Sequence, residues 1–368
     1  MVKNFLKNSV KLLNTKQSDI VSAATVIMLT VAISKILGVI KLRMLSARFT
    51  PDELGVYLAS FRLPNLLFDF LVLGALTSAF IPVFTRLLSQ DKKDEAFYVA
   101  SSVINIGIVL TLIFSIPIFI FSKEISMILT PGFNQTQIET MASFTRIILL
   151  AQVIPLIIGN FLTGILQSFK RFLIPALAPI VYDLGIIVCI YFLAPKIGLY
   201  SAVYGVIMGS VLFFLIQIPT VLSLGFRFGF NFDFYHKGVR EIGKLMLPRT
   251  IGLAASQIDT TTDLILASLL GARSITIFNF AQTLQLLPIL LFGSTISQAA
   301  LPTLSEEITD NNQERFKTTL LTSLHQILFL VFPASVLLLV LRIPIVRLAF
   351  GAKLFDWEAT ILTGKTLA

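Results

Sequence analysis

Residues 97–121 read FYVASSVINIGIVLTLIFSIPIFIF, an unbroken run without one charged side chain. A hydrocarbon core of about 30 Å is crossed by about 20 helical residues, so this stretch reads as a membrane span. The same window, carried outward in both directions, finds spans near 21–45, 56–84, 142–166, 173–194, 199–223, 246–270, 276–304 and 320–349. A tenth begins near Ala359 and stops at Ala368 without a basic flank, so the sequence reads as a C-terminally truncated piece. Composition agrees. Of the 368 residues 13% are charged and 55% hydrophobic, with 32 Phe; an ordinary soluble domain carries about 25% charged residues. That excludes a soluble enzyme, a disulfide-rich secreted domain and a disordered chain. The fold class is all-α, polytopic and membrane-embedded.

The net charge of +9 does not mark a nucleic-acid binder, because the basic residues are spread with no aromatic-interleaved cluster. They sort by side instead. Alternating from the N-terminus, the tail and the even-numbered loops hold 15 Lys and Arg, the other side 8. The positive-inside rule then puts the N-terminus in the cytoplasm. Residues 1–20, with Lys3, Lys7, Lys11 and Lys16, form a basic tail, either an interfacial helix or disordered. Cys189 is the only cysteine and His236 and His325 the only histidines, so neither a disulfide nor a Cys/His zinc site can be assembled.

An internal repeat sets the architecture. Leu63-Pro64-Asn65-Leu66-Leu67-Phe68 returns as Leu287-Pro288-Ile289-Leu290-Leu291-Phe292, and each copy is followed by small residues closed by Pro82 or Pro302. Both copies fall in the second span of a six-span block. Six is even, so the blocks are parallel, and two parallel bundles around a central cavity are a transporter layout. Chance similarity between Leu-rich helices is the competing reading. The expected organisation is a six-helix bundle over 21–224, a cytoplasmic linker over 225–245 and the start of a second bundle over 246–368.

Charges inside spans mark the candidate sites, since a cation at the bilayer centre costs roughly 2.5–3.5 kcal/mol on insertion scales. Lys35, Lys41, Arg62, Arg146 and Arg249 stand in or near spans. Ser34, Lys41 and Arg48 are seven apart and share one helical face. With Lys35 and Arg62 they give one bundle a cationic lining, which suits a diphosphate on a lipid carrier; the competing reading has Arg48 and Arg62 snorkelling from helix ends. In the seventh span Asp259 and Asp263 lie four apart among Ser256, Gln257, Thr260, Thr261 and Thr262. Paired carboxylates amid hydroxyls suit a Na⁺ or H⁺ site, or an ion pair with a cation such as Arg249. Asp69 and Asp183 are single intramembrane carboxylates that could partner Arg62 or a loop cation, and neither has a firm role.

Several ordered motifs carry a family resemblance. Ser34-Lys35-Ile36-Leu37-Gly38, Arg62-Leu63-Pro64-Asn65-Leu66-Leu67, residues 74–82, Arg171-Phe172-Leu173-Ile174-Pro175-Ala176-Leu177-Ala178-Pro179 and Ala299-Ala300-Leu301-Pro302 resemble signatures of the MurJ (MviN) lipid II flippases. These belong to the multidrug/oligosaccharidyl-lipid/polysaccharide exporter superfamily. The resemblance implies that two first-helix arginines of the family fall on Lys35 and Lys41, a third on Phe68 and a fourth on Thr283. Two acidic positions fall on Gly55 and Leu73, and the cation-site Asp on Asp263. An ammonium cannot make the bidentate contact of a guanidinium, so these departures bear on the substrate more than on the fold.

The function expected from the residues and the resemblance together is a flippase, not an enzyme. It would move an undecaprenyl-diphosphate-linked peptidoglycan precursor across the bacterial cytoplasmic membrane, as a monomer, by alternating access. Ser34, Lys35, Lys41 and Arg62 would hold the diphosphate, and Asp259 and Asp263 would couple a cation, with no other cofactor. The alternatives are a flippase for another lipid-linked oligosaccharide and a non-transporting scaffold of envelope synthesis.

Overall fold

The computed structural model describes residues 20–73, 79–309 and 313–368. The basic tail and residues 74–78 of the first small-residue stretch lie outside them, as do several side chains of the second stretch, Ala299 and Pro302 among them. Among the described residues there is helix and no strand. The helices are α1 (Ile20–Arg48), α2 (Pro51–Ser60), α3 (Arg62–Phe68), α4 (Ile81–Ser89), α5 (Lys93–Ile120), α6 (Ser122–Leu129), α7 (Gln135–Ala151), α8 (Val153–Ser168) and α9 (Leu173–Ile197). They continue as α10 (Tyr200–Leu215), α11 (Ile218–Ser223), α12 (Lys237–Leu269), α13 (Ala272–Pro288), α14 (Ser294–Thr309), α15 (Gln313–Val340), α16 (Arg342–Phe350) and α17 (Trp357–Leu367).

Among the described residues, six helices or helix runs are long and apolar enough to cross a bilayer, and a seventh joins them if the bent pair α7–α8 is one span. Seven of the nine expected spans fall on these; the other two, over 21–45 and 246–270, are helical as α1 and α12 but are not among them. Three expectations need correction. The fourth span is not one straight helix over 142–166: it starts at Gln135, breaks at Gln152 and bends by 41°. Pro155 explains the break, since it lacks an N–H and its ring crowds the carbonyl of Ala151 four residues back. The ninth span ends at Val340 rather than 349, and α16 is a separate short helix after a turn at Leu341. The second span starts a turn earlier than 56, where Thr50 caps α2. Its hydroxyl accepts the Glu53 N–H at 3.3 Å while its own N–H donates to the Glu53 carboxylate at 2.8 Å, and Pro51 opens the helix.

The repeat has a structural counterpart. A π-helical turn, Asp69–Leu73, follows the first Leu-Pro-x-Leu-Leu-Phe string directly, and another, Ile289–Gly293, overlaps the end of the second. Such wide turns tend to occur at functional positions in long helices.

The first bundle is built around a core with Phe80, Phe84, Phe161 and Ile104 at its centre, and Val239 and Ile242 at the start of α12 join it. A second core crosses between the bundles. Leu45, Phe49, Leu54 and Tyr57 from α1, α2 and the link between them pack there with Phe280, Val346, Phe350 and Phe355 of the second bundle. The Phe280 and Phe350 ring centroids are 4.3 Å apart. This core sits at the end of the molecule that carries Gly271, opposite the end that carries Phe172. Around it Thr276 donates to the Pro51 carbonyl at 2.6 Å, Ser46 to the Phe350 carbonyl at 2.7 Å and Arg43 to the Leu348 carbonyl. Backbones touch here as well: a Cβ on Gly55 would lie 1.8 Å from the Ala272 carbonyl oxygen, and one on Gly132 would lie 1.9 Å from that of Ser268. By contrast α15 is apolar but buries nothing.

At the Phe172 end, Arg86 holds Glu241 through two contacts of 2.7 and 2.5 Å, tying α4 to the second turn of α12. The Arg86 hydrogen bond holds the Glu241 carboxyl below the usual carboxylate range. A carboxyl with a depressed folded-state pKa contributes stability above its unfolded value, about 4.3, and loses it as pH falls through the folded value. Thermal melting of the parent should therefore fall more steeply between neutral pH and pH ~3 than that of Glu241→Gln. Gly55→Leu should separate the Gly271 end. In a Cys189→Ser background, a cysteine introduced by Thr276→Cys is expected to react slowly with a water-soluble maleimide, and at least several-fold faster once Gly55→Leu is added.

Candidate functional site

A cavity of about 500 Å³ lies between the bundles, below the core that closes the Gly271 end. From α1 it takes Ser34, Lys35, Gly38 and Lys41, positions spaced by about one turn and so on one helical face. Nothing approaches within 4 Å of where a Gly38 Cβ would be, which leaves the wall open between the two lysines. Tyr57, Phe61 and Asn65 come from α2, α3 and the residue between them; Tyr182 and Asp183 come from α9, and Asn279 and Thr283 from α13. A second cavity of about 340 Å³ shares Ser34 and Lys35 with the first and is walled by Gln167, Phe172, Pro175 and Pro179. The Arg171–Pro179 motif thus shapes a vestibule toward the Phe172 end, with Lys35 at its junction with the main cavity.

The two lysines differ. Lys41 Nζ lies 2.6 Å from Asp183 Oδ1, with the Asp183 side chain 10% exposed, and 5.9 Å from the Tyr182 ring centroid. Lys35 is exposed and has no carboxylate partner among the described residues. Thr283, where the resemblance places an arginine, also faces this cavity but donates to its own helix at the Asn279 carbonyl.

Arg62 lies elsewhere. It is 9% exposed and borders a separate cavity of about 130 Å³ with Asn65, Thr260, Asp263 and Asn279. Its guanidinium donates to Thr261 Oγ1 at 2.6 and 3.0 Å and to the Gln257 carbonyl at 2.6 Å. The Gln257 amide in turn donates to Asp69 at 2.9 Å. Arg62 therefore does not snorkel; it joins α3 to the hydroxyl-rich face of α12 and is not placed with Lys35 and Lys41. Arg249, the cation weighed as an ion-pair partner for Asp259 and Asp263, lies on the same helix and is exposed. Asp263 borders the Arg62 cavity, whereas Asp259 is exposed and does not line it. Among the described residues no three His, Cys, Asp or Glu side chains gather at metal-binding distance.

The profile of one protein family, described as lipid II flippase MurJ, matches residues 52–368. This chain belongs to the MurJ family. A probable lipid II flippase MurJ of Borreliella burgdorferi is 28% identical over 325 residues, which cover 87% of this chain and 63% of that protein. The lipid II flippase MurJ of Burkholderia cenocepacia is 23% identical over 344 residues, covering 91% of this chain and 67% of that protein. The chain thus spans about two thirds of the length of these MurJ relatives. Among solved structures, lipid II flippase MurJ in an inward closed conformation superposes with a TM-score of 0.78 at 25% identity, covering 93% of this chain and 70% of that one. An inward-facing multidrug resistance MATE family transporter shares the fold, with a TM-score of 0.71 at 15% identity over 91% of this chain and 76% of that one.

The family positions now have places. Lys35, Lys41 and Thr283 face one cavity. Phe68 packs against the first-bundle core, and Gly55 is where the bundles touch. The Leu73 side chain is outside the described residues. Residues that the sequence reading left without a role, Asp183 and Tyr182, prove to be wall residues of the main cavity. Their signal was a polar pair in the middle of an apolar span.

Removing the Arg62 clamp should cost stability, because charged hydrogen bonds of this kind contribute about 1.5–3 kcal/mol each. Arg62→Ala is expected to lower the melting temperature in detergent clearly, and Arg249→Ala to leave it nearly unchanged.

Proposed function

We propose that this chain is the transport core of a lipid II flippase, carrying an undecaprenyl-diphosphate-linked peptidoglycan precursor from the cytoplasmic to the outer leaflet of the bacterial inner membrane. The observation that carries the reading is the main cavity, where Lys35 and Lys41 line one wall and the Gly271 end is sealed by an apolar core. The charge bias of the loops puts the N-terminus and the Phe172 end in the cytoplasm. In that orientation the vestibule walled by Phe172, Pro175 and Pro179 admits the headgroup from the cytoplasmic side. Lys35 meets the diphosphate first and Lys41 receives it deeper in. The prenyl chain stays in lipid. Closing the Phe172 end and parting the Gly271 end would then expose the same cavity to the other side. No bond is made or broken, so the protein is a carrier rather than an enzyme, and it would work as a monomer.

A Na⁺ or H⁺ would couple at Asp263, which already shares a small cavity with Thr260 and the Arg62 guanidinium, with Asp259 one turn away. One observation favours a second reading, a different lipid-linked glycan. The cavity has lysines where the resemblance places arginines, Thr283 at another such position, and one of its two ammonium charges balanced by Asp183.

The test is complementation of a bacterium depleted of its own lipid II flippase, at matched expression. The gene is expected to restore growth and Lys35→Ala/Lys41→Ala to fail. No rescue by a well-expressed parent would overturn the lipid II reading in favour of another glycan or a scaffold. Rescue by both would sink the assignment of the two lysines.

A further inference from the structure

An ammonium cannot stand bare in a low-dielectric cavity, yet a carrier must pass through a state in which its cavity is empty. In this structure Lys41 is not bare. Asp183, 142 positions away on α9, meets it at 2.6 Å, and both side chains face the same 500 Å³ space. The only other lysine of that cavity, Lys35, has no carboxylate partner among the described residues. The third cation expected there, Arg62, is engaged with Thr261 and Gln257 outside it. The cavity thus holds one free ammonium at its mouth and one neutralised ammonium in its depth.

We propose that Asp183 is a built-in counter-anion that occupies Lys41 when the cavity is unloaded, and that the substrate's diphosphate must displace it to be carried. The inference rests on the diphosphate reading above and deepens it by making Asp183 a specificity-determining residue. A lipid without an anionic head cannot take Lys41 from a carboxylate at 2.6 Å, whereas a diphosphate offers more negative charge and more acceptor oxygens. The displaced carboxylate is left beside a bound anion of the same sign, so loading is weakened and release is eased. On release, Asp183 returns to Lys41 and the empty cavity carries no naked deep charge back across the membrane. Tight binding is given up for turnover.

The experiment measures binding of undecaprenyl diphosphate and, as the uncharged control, undecaprenol to the full chain in lipid nanodiscs. Four proteins are compared: the parent, Asp183→Asn, Lys41→Asn and the neutral pair Lys41→Asn/Asp183→Asn. The expected order of affinity for the diphosphate lipid is Asp183→Asn tightest, then the parent, then the neutral pair, with Lys41→Asn weakest. Asp183→Asn should gain roughly tenfold over the parent, the change that about 1.4 kcal/mol produces. Its diphosphate lipid should dissociate more slowly, and undecaprenol should bind all four alike. Asp183→Glu, which keeps the charge, should bind like the parent. A folded Asp183→Asn that binds no tighter than the parent would overturn the proposal and leave Asp183 a packing residue. If Asp183→Asn does not fold, the two Lys41 variants decide: a neutral pair no tighter than Lys41→Asn overturns it equally. A parent that binds the diphosphate lipid no better than undecaprenol would overturn the diphosphate reading itself, and this inference with it.

Discussion

Hydrocarbon does not solvate charge, and the arrangement of this protein follows from that constraint. Each polar side chain placed at membrane depth must find an opposite charge, a carbonyl or hydroxyl, or water. Lys41 finds Asp183; Arg62 finds Thr261 and a backbone carbonyl; Asp69 finds Gln257. Lys35 finds no such partner among the described residues; it is exposed and stands at the wall shared by the main cavity and its vestibule. These pairings join α1 to α9 and α3 to α12, so the polar groups in and beside the main cavity also hold its helices in register.

The division between the two polar clusters is as informative as their contents. Asn65 and Asn279 border both the lysine-lined cavity and the small Arg62 cavity. A thin wall of Leu58, Phe61 and these two amides therefore separates the groups suited to an anion from the carboxylate suited to a cation. A shift of α12 against α3 would be felt at both places, which is the physical connection that coupled transport requires.

Much of the fold was legible because membrane spans obey a one-dimensional rule: length and apolarity locate them without knowledge of their neighbours. The repeat of the Leu-Pro-x-Leu-Leu-Phe string was readable for the same reason, and it marks a π-helical turn in both bundles. The bend at Gln152 was signalled by Pro155, but a proline also sits within continuous helix at Pro117 and Pro179, so its presence alone did not fix the outcome. The site was legible in part. Helical periodicity put Ser34 and Lys41 on one wall, because they belong to one helix, but it put Arg48 there too, and Arg48 is exposed and does not line the cavity. It could not assign Arg62 to α12, or Asp183 to Lys41, since those pairings depend on how helices far apart in sequence are rotated about their axes.

Gly55 and Gly132 sit where one backbone rests directly on the other, with no side chains between. A seat of that kind has no soft layer to yield by degrees: the surfaces are in register or they are parted. Packed protein surfaces of this sort switch between discrete arrangements instead of deforming continuously. The population of half-open carriers would then be small, and the leak of protons or ions through such forms correspondingly low. A membrane that must keep its gradients while a large headgroup crosses it would gain its insulation from two residues that have no side chain at all.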